Sequence, residues 1–225
     1  MGVYTKEHPK CMTDISDCDT ILSRQLRLLS EAGVRDVVMT TGYYDQVLID
    51  YCHSLGLPIT YTFVKNPIYD QTNYIYSIYC AREVLMNEDI LLLHGDLVFE
   101  TSVLADALAF PESCMKVSST LPLPEKDFKA VVVDGMVKKV GVEFFESAME
   151  AQAMYKLNKP EWNTWLSHII DFCESGKTKV YAEVALNEIT DRCPIHILDV
   201  KDRLCTEIDN PEDLAKVKAA VAALV

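Results

Sequence analysis

At 225 residues, 49% hydrophobic and 24% charged, the chain is long enough to close one sizeable core and too apolar for a disordered or fibrous protein. It carries 34 acidic against 21 basic residues, a formal net charge of −13, and shows no basic stripe to neutralise phosphates, which disfavours a nucleic-acid partner. No apolar run reaches membrane-spanning length, and the first residues lack the basic-then-apolar order of a signal peptide. Eight scattered cysteines form neither a CxxC pair nor a zinc spacing, so the expectation is a soluble, cytoplasmic protein with reduced thiols and no membrane partner.

In chain order, Ile21, Leu22, Leu26 and Leu29 recur at helical spacing from Asp19-Thr20 to a stop at Gly33. Val34 to Thr41 reads as a strand, Val47, Leu48 and Tyr51 mark a helix, and Ile59 to Val64 a second strand, which together make a parallel strand-helix-strand unit. The loop Lys65 to Asn73 leads into a helix carrying Ile75, Ile78, Tyr79, Arg82 and Leu85. The run from Asp89 to Phe99 reads as one strand, buried on both faces, that reaches a carboxylate at Asp96. After a short helix over Val103 to Ala109 come strands at Met115 to Thr120, Phe128 to Val133, Val137 to Val140 and Ala153 to Leu157, with Asp134-Gly135 as a hairpin turn. Asn158 to Pro160 opens a helix with Trp162, Trp165, Leu166, Ile169, Ile170 and Cys173 on its apolar face. A last helix starts at Asp209-Asn210-Pro211 and carries Leu214, Val217, Val221 and Leu224. These elements predict an α/β fold with a mixed, mostly parallel sheet flanked by helices and an antiparallel insertion in the second half, in one domain over 1–225.

The chemistry concentrates in few places. Ligands of open α/β sheets lie along the carboxyl ends of the strands, where Asp96 stands as a metal ligand or as a polar residue ending a buried strand. His94, inside the apolar run, reads as a core histidine. Asp209 reads as the N-cap of the last helix, and Glu207 two residues earlier shares its face in an extended segment, a pair of carboxylates that suits a cation. Lys10 follows a proline in a polar loop, and Lys65-Asn66-Pro67 with Thr72-Asn73 offers amides and hydroxyls suited to a base or a ribose.

Taken in order, Pro9-Lys10, Gly42-Tyr43, Asn66 with Tyr69, Thr72-Asn73 and Ser77, Gly95-Asp96 and Glu207-Ile208-Asp209 resemble the nucleotidyltransferase superfamily that makes activated sugars and alcohols. The stretches Met154 to Leu157, Tyr181 to Asn187 and Cys205 to Asn210 look most like its small cytidylyltransferases for phosphocholine and phosphonoalkyl amines. The resemblance implies a Rossmann-like fold and Mg²⁺-dependent transfer from CTP to a phosphonate or phosphate acceptor. By the same implication Asp96 and Asp209 hold the metal, Lys10 meets the phosphates, and Asn73 and Ser77 lie near base and ribose, beside the Asn66 and Thr72 whose own chemistry suits such a ligand. Lys156 is implied at the acceptor's anionic end and Glu183 at a cationic amine.

One departure stands beside these matches. Members of the superfamily begin with a strand and a loop of the form Leu-Ala-Ala-Gly-x-Gly-x-Arg, whereas here Pro9-Lys10 follows the start almost at once. The expectation is that Met1 is an internal methionine or a truncation, that the first strand and phosphate loop are missing, and that the unpaired sheet edge favours association into a homodimer. An upstream stop codon adjoining Met1 would refute it. Sugar-1-phosphate nucleotidyl transfer and a catalytically dead nucleotide-binding or regulatory module stay as alternatives. Glycosyl transfer is disfavoured because Asp96-Leu97-Val98 lacks the second aspartate of a D-x-D motif.

Overall fold

The computed structural model describes residues 7–224; Met1, on which part of the sequence reading falls, lies outside them. A single 3₁₀ turn at Lys10–Met12 precedes α1 (Ile21–Glu31), β1 (Asp36–Thr41), α2 (Asp45–Ser54), β2 (Thr60–Lys65), α3 (Tyr74–Cys80), α4 (Arg82–Leu85), β3 (Ile90–Leu93), β4 (Leu97–Phe99) and α5 (Thr101–Ala109). The second half holds β5 (Cys114–Ser118), β6 (Lys129–Val133), β7 (Met136–Gly141), β8 (Ala148–Leu157), α6 (Lys159–Glu174), α7 (Ala182–Leu186), β9 (His196–Asp199), β10 (Cys205–Glu207) and α8 (Pro211–Ala223).

The parallel unit predicted over the first half is present as β1 beside β2, with Asp36 opposite Thr60 and Thr41 opposite Lys65. A six-stranded sheet runs β3-β8-β5-β9-β7-β6, and β6 also pairs with β8, so that β8, β5, β9, β7 and β6 close a circuit. The fold is a mixed α/β sheet with flanking helices, as expected. Its only parallel pairings among the described residues are β1 with β2 and β5 with β9. Antiparallel pairing is more extensive than the reading foresaw, because β8 lies antiparallel to β3, β5 and β6 at once. Helices cover both faces. On one, Ile75, Ile78, Trp162, Trp165, Leu166 and Leu186 pack against Met115, Ala130, Ala153 and Tyr155. On the other, Leu28, Leu29, Val103 and Leu104 pack against Met154, Leu198 and Cys205.

Several boundaries differ from the sequence reading. The Asp89–Phe99 run is two strands: the chain turns at His94-Gly95-Asp96, with Leu97 N–H donating to His94 O at 3.3 Å, and β4 leaves to pair with β10. The helix through Leu85 breaks at buried Ala81 into α3 and α4. β9 and β10 were not foreseen, being too short to show a period. The hairpin at Asp134-Gly135 is as predicted: both residues have positive φ, 52° and 74°, the geometry of a type I′ turn that glycine relieves. Among the described residues no helix is long and apolar enough to cross a membrane.

Candidate active site

The site is assembled by three segments that local structure holds together. Lys10 stands on the 3₁₀ turn, which is fixed by Met12 N–H to Pro9 O and Thr13 N–H to Lys10 O, both 3.0 Å. Asp96 lies in the turn between β3 and β4. Gln25 of α1 secures that turn through its side-chain amide, which donates to His94 O at 2.9 Å and to Leu97 O at 2.6 Å. Asp209 follows β10, whose pairing with β4 sets Glu207 opposite Leu97, and Ile208 N–H donates to Asp96 O at 3.3 Å.

These supports bring Lys10 Nζ to 2.6 Å from Asp96 Oδ2 and 2.6 Å from Asp209 Oδ1. Burial by itself would lower the lysine's pKa, but Asp96 and Asp209 more than offset that and hold it above the ordinary lysine value. The expected capping role of Asp209 is corrected. Asn210 is the N-cap of α8, its Oδ1 accepting from Glu212 N–H at 2.8 Å and Asp213 N–H at 3.0 Å. Pro211 in the first turn places the cap directly before it, which leaves the Asp209 carboxylate to the lysine.

His94 and Glu207 were not assigned to the site from sequence. Here His94 Nδ1 is 2.8 Å from Glu207 Oε1, and His94, Asp96 and Glu207 each have a potential ligand atom within 4.8 Å of the other two. Desolvation opposes protonation of His94, yet Glu207, with Glu183 and Asp96 behind it, raises its pKa above the ordinary histidine value. The usable signal was proximity in sequence: His94 stands two residues from Asp96, and Glu207 two residues from Asp209 in an extended segment. Beyond Lys10 a cleft of about 580 Å³ opens between Pro9, Cys11 and Thr41 on one side and Gly42, Tyr44 and Tyr69 on the other. Gly42 admits no side chain there, since a Cβ would come 2.9 Å from the Tyr69 ring.

Comparison with known proteins fits this arrangement. The MobA-like NTP transferase domain matches residues 1–112. Residues 1–112 of this chain belong to that family. Over 100 residues the protein is 27% identical to the CTP:phosphoglutamine cytidylyltransferase of Campylobacter jejuni, a match covering 42% of this chain and 38% of that one. Over 123 residues it is 32% identical to the CMP-5'-(3-aminopropyl)phosphonate synthase of Streptomyces rubellomurinus, covering 55% of this chain and 19% of that one. The match thus spans well under half the length of either relative. The inositol-1-phosphate CTP transferase of T. maritima shares the fold across 98% of this chain and 90% of its own, with a TM-score of 0.78 at 20% identity.

Within the MobA-like region, the residues expected near base and ribose engage one another and their own loop. Buried Asn66 donates through Nδ2 to Thr72 Oγ1 and to Ser77 Oγ, both at 3.1 Å, and accepts from Ile68 N–H at 3.0 Å. Asn73 is the N-cap residue of α3, with Oδ1 2.7 Å from Tyr74 N. Asn66, Thr72 and Ser77 therefore brace the loop after β2, with Asn73 closing it against α3.

Beyond the MobA-like region the two remaining expectations diverge. Glu183 is not at the surface: it is fully buried, accepting from the Tyr155 hydroxyl at 3.0 Å and from the Tyr74 hydroxyl. Burial raises its pKa and raises those of both tyrosines well above the usual value. Next to it the Tyr74 ring meets His94 edge-on at 4.8 Å, and Phe128 meets the exposed Tyr181 at 5.1 Å. Lys156 is placed elsewhere. It stands opposite Leu91, toward the far end of β3 from His94, and donates to Asn158 Oδ1 at 2.5 Å and to the Pro111 and Glu112 carbonyls at 3.3 Å. The structure gives it no part in the Lys10, Asp96 and Asp209 group.

Proposed function

We propose that the protein transfers a cytidylyl group from CTP to a small phosphonate or phosphate acceptor, such as 2-aminoethylphosphonate or phosphocholine, and releases pyrophosphate in a Mg²⁺-dependent reaction. The observation that carries this reading is the convergence of Lys10, Asp96 and Asp209, from three distant segments, beside the cleft at the end of β1. Family membership over residues 1–112 supports it, and the names of two relatives support CTP as the donor.

In such a transfer an acceptor oxygen bonds to the α-phosphorus, the bond to the bridging oxygen breaks, and the electron pair leaves with pyrophosphate; positioning and charge neutralisation do most of the catalytic work. The residues present fit a hard divalent cation, since two carboxylate oxygens already converge on one positive nitrogen. Asp96 and Asp209 would hold Mg²⁺, which when bound supplies Lewis-acid charge on phosphate oxygens. Lys10, between the cleft-lining residues Pro9 and Cys11, would neutralise the phosphates. The rings of Tyr74, Phe128 and Tyr181, with the Glu207 carboxylate near them, suit an acceptor that ends in an amine.

The test is pyrophosphate release with Mg²⁺ and each of CTP, UTP, ATP and GTP, against 2-aminoethylphosphonate, phosphocholine and glucose 1-phosphate. The expected result is fastest release with CTP and an amine-bearing acceptor. Release confined to the sugar phosphate would replace the acceptor assignment, and CTP binding without release in any combination would leave a nucleotide-binding module.

A further inference from the structure

Lys10 does more in this structure than wait for phosphates. Its ammonium lies between Asp96 and Asp209, 2.6 Å from an oxygen of each, in the space a divalent ion held by those oxygens would take. The two charges cannot share it, because both need the same oxygens at contact distance. The backbone of Lys10 is fixed by its 3₁₀ turn, but the side chain is 28% exposed, so the ammonium can swing out on its flexible stem with no change of fold. The buried Lys116–Glu150 pair, 0% and 6% exposed, has no such freedom.

A triphosphate in the adjoining cleft offers the ammonium a denser anion than the two carboxylates do. Resting on the assignment of Asp96 and Asp209 as cation ligands, we infer that Lys10 is an internal counter-ion that keeps the carboxylate pair closed to a divalent cation until a nucleoside triphosphate draws the ammonium away. Nucleotide and metal then enter together, and the protein without nucleotide has little affinity for the metal. No covalent step is involved; one cation replaces another between the same two oxygens. The exchange also spares the apo protein two unneutralised neighbouring carboxylates in a chain whose net charge is already −13.

The test uses Mn²⁺ as a paramagnetic probe, with free Mn²⁺ followed by electron paramagnetic resonance in the absence of nucleotide. Wild type, Lys10→Met and Lys10→Gln are compared at one pH and ionic strength, after circular dichroism confirms equal folding. The expected result is that both variants bind Mn²⁺ about tenfold more tightly than wild type, a shift of about 1.4 kcal/mol, and that adding Asp96→Asn to Lys10→Met abolishes the gain. Water-proton relaxation with Mn²⁺ and CTP supplies the control: wild type should form a ternary complex that Asp96→Asn weakens. If neither Lys10 variant gains affinity while that ternary complex still depends on Asp96, the cation site stands and the counter-ion role is overturned. If the ternary complex ignores both Asp96 and Asp209, the site assignment falls, and this inference with it.

Discussion

Two groups of carboxylates in this protein are neutralised in opposite ways. Asp96 and Asp209 are partly exposed, 22% and 51%, and share one ammonium carried by a segment at the far end of the chain. Glu183 and Glu150 are buried in the second half, the one held by two tyrosine hydroxyls and the other paired at 2.5 Å with Lys116 and taking a 2.8 Å bond from Gln152. The first arrangement can exchange its cation with solvent at little cost, because exposed ion pairs contribute little to stability. The second cannot, since breaking a buried pair strands a desolvated charge. On the proposed function, the carboxylates of the reaction are thus distinguished from those of the fold by the mobility of the groups that neutralise or hold them.

Mutation should separate the two groups, the largest effect falling on turnover. Asp96→Asn and Asp209→Asn should each lower kcat by roughly 10²-fold or more, as removal of electrostatic stabilisation does in other enzymes, while the melting temperature stays within a few degrees of wild type. Lys116→Met should do the reverse. Leaving Glu150 buried and unpaired should cost about 3–5 kcal/mol, read as a lower urea midpoint, and Lys116→Met with Glu150→Leu should recover most of it. Loss of activity without loss of stability at Glu150, or the converse at Asp96, would dissolve the comparison.

A smaller effect sharpens it through pH. Burial raises the pKa of Glu183 above its unfolded value, so the folded state favours the proton. The stability this residue lends is therefore complete below the ordinary glutamate range and declines as pH rises toward the folded value. Stability of wild type relative to Glu183→Gln, followed by urea titration from pH 4 upward, should fall with rising pH; a difference independent of pH would contradict the burial argument. Smallest of all, Lys156→Ala should leave kcat/KM for the acceptor within about twofold of wild type, since loop carbonyls and Asn158 hold its ammonium away from the site.

Asp96 was legible because a lone carboxylate interrupts an apolar run just past a strand, where α/β sheets place their ligands, and the Asp134-Gly135 hairpin because its chemistry is local. The turn at His94-Gly95-Asp96 was hidden by that same apolar run, which continues past it into β4. Asp209 looked like a cap because aspartate before Asn-Pro serves equally well; only the bonds of Asn210 to Glu212 and Asp213 show which residue takes the place. The burial of Glu183 depends on tyrosines from α3 and β8 that no local pattern connects to it. The pairing of His94 with Glu207 likewise spans half the chain. Strand and turn chemistry was readable where it is local, whereas the burial of Glu183 and the pairing of His94 with Glu207 were not, because distant partners decide them.

The most direct measurement is ³¹P nuclear magnetic resonance of CTP, Mg²⁺ and 2-aminoethylphosphonate with wild type and with Asp209→Asn. The account predicts that wild type produces a pair of coupled resonances, one phosphonate and one phosphate joined through a single oxygen, together with pyrophosphate, and that Asp209→Asn produces neither at a comparable rate. The same coupled product at an unchanged rate from Asp209→Asn, or CTP left intact by wild type, would contradict it.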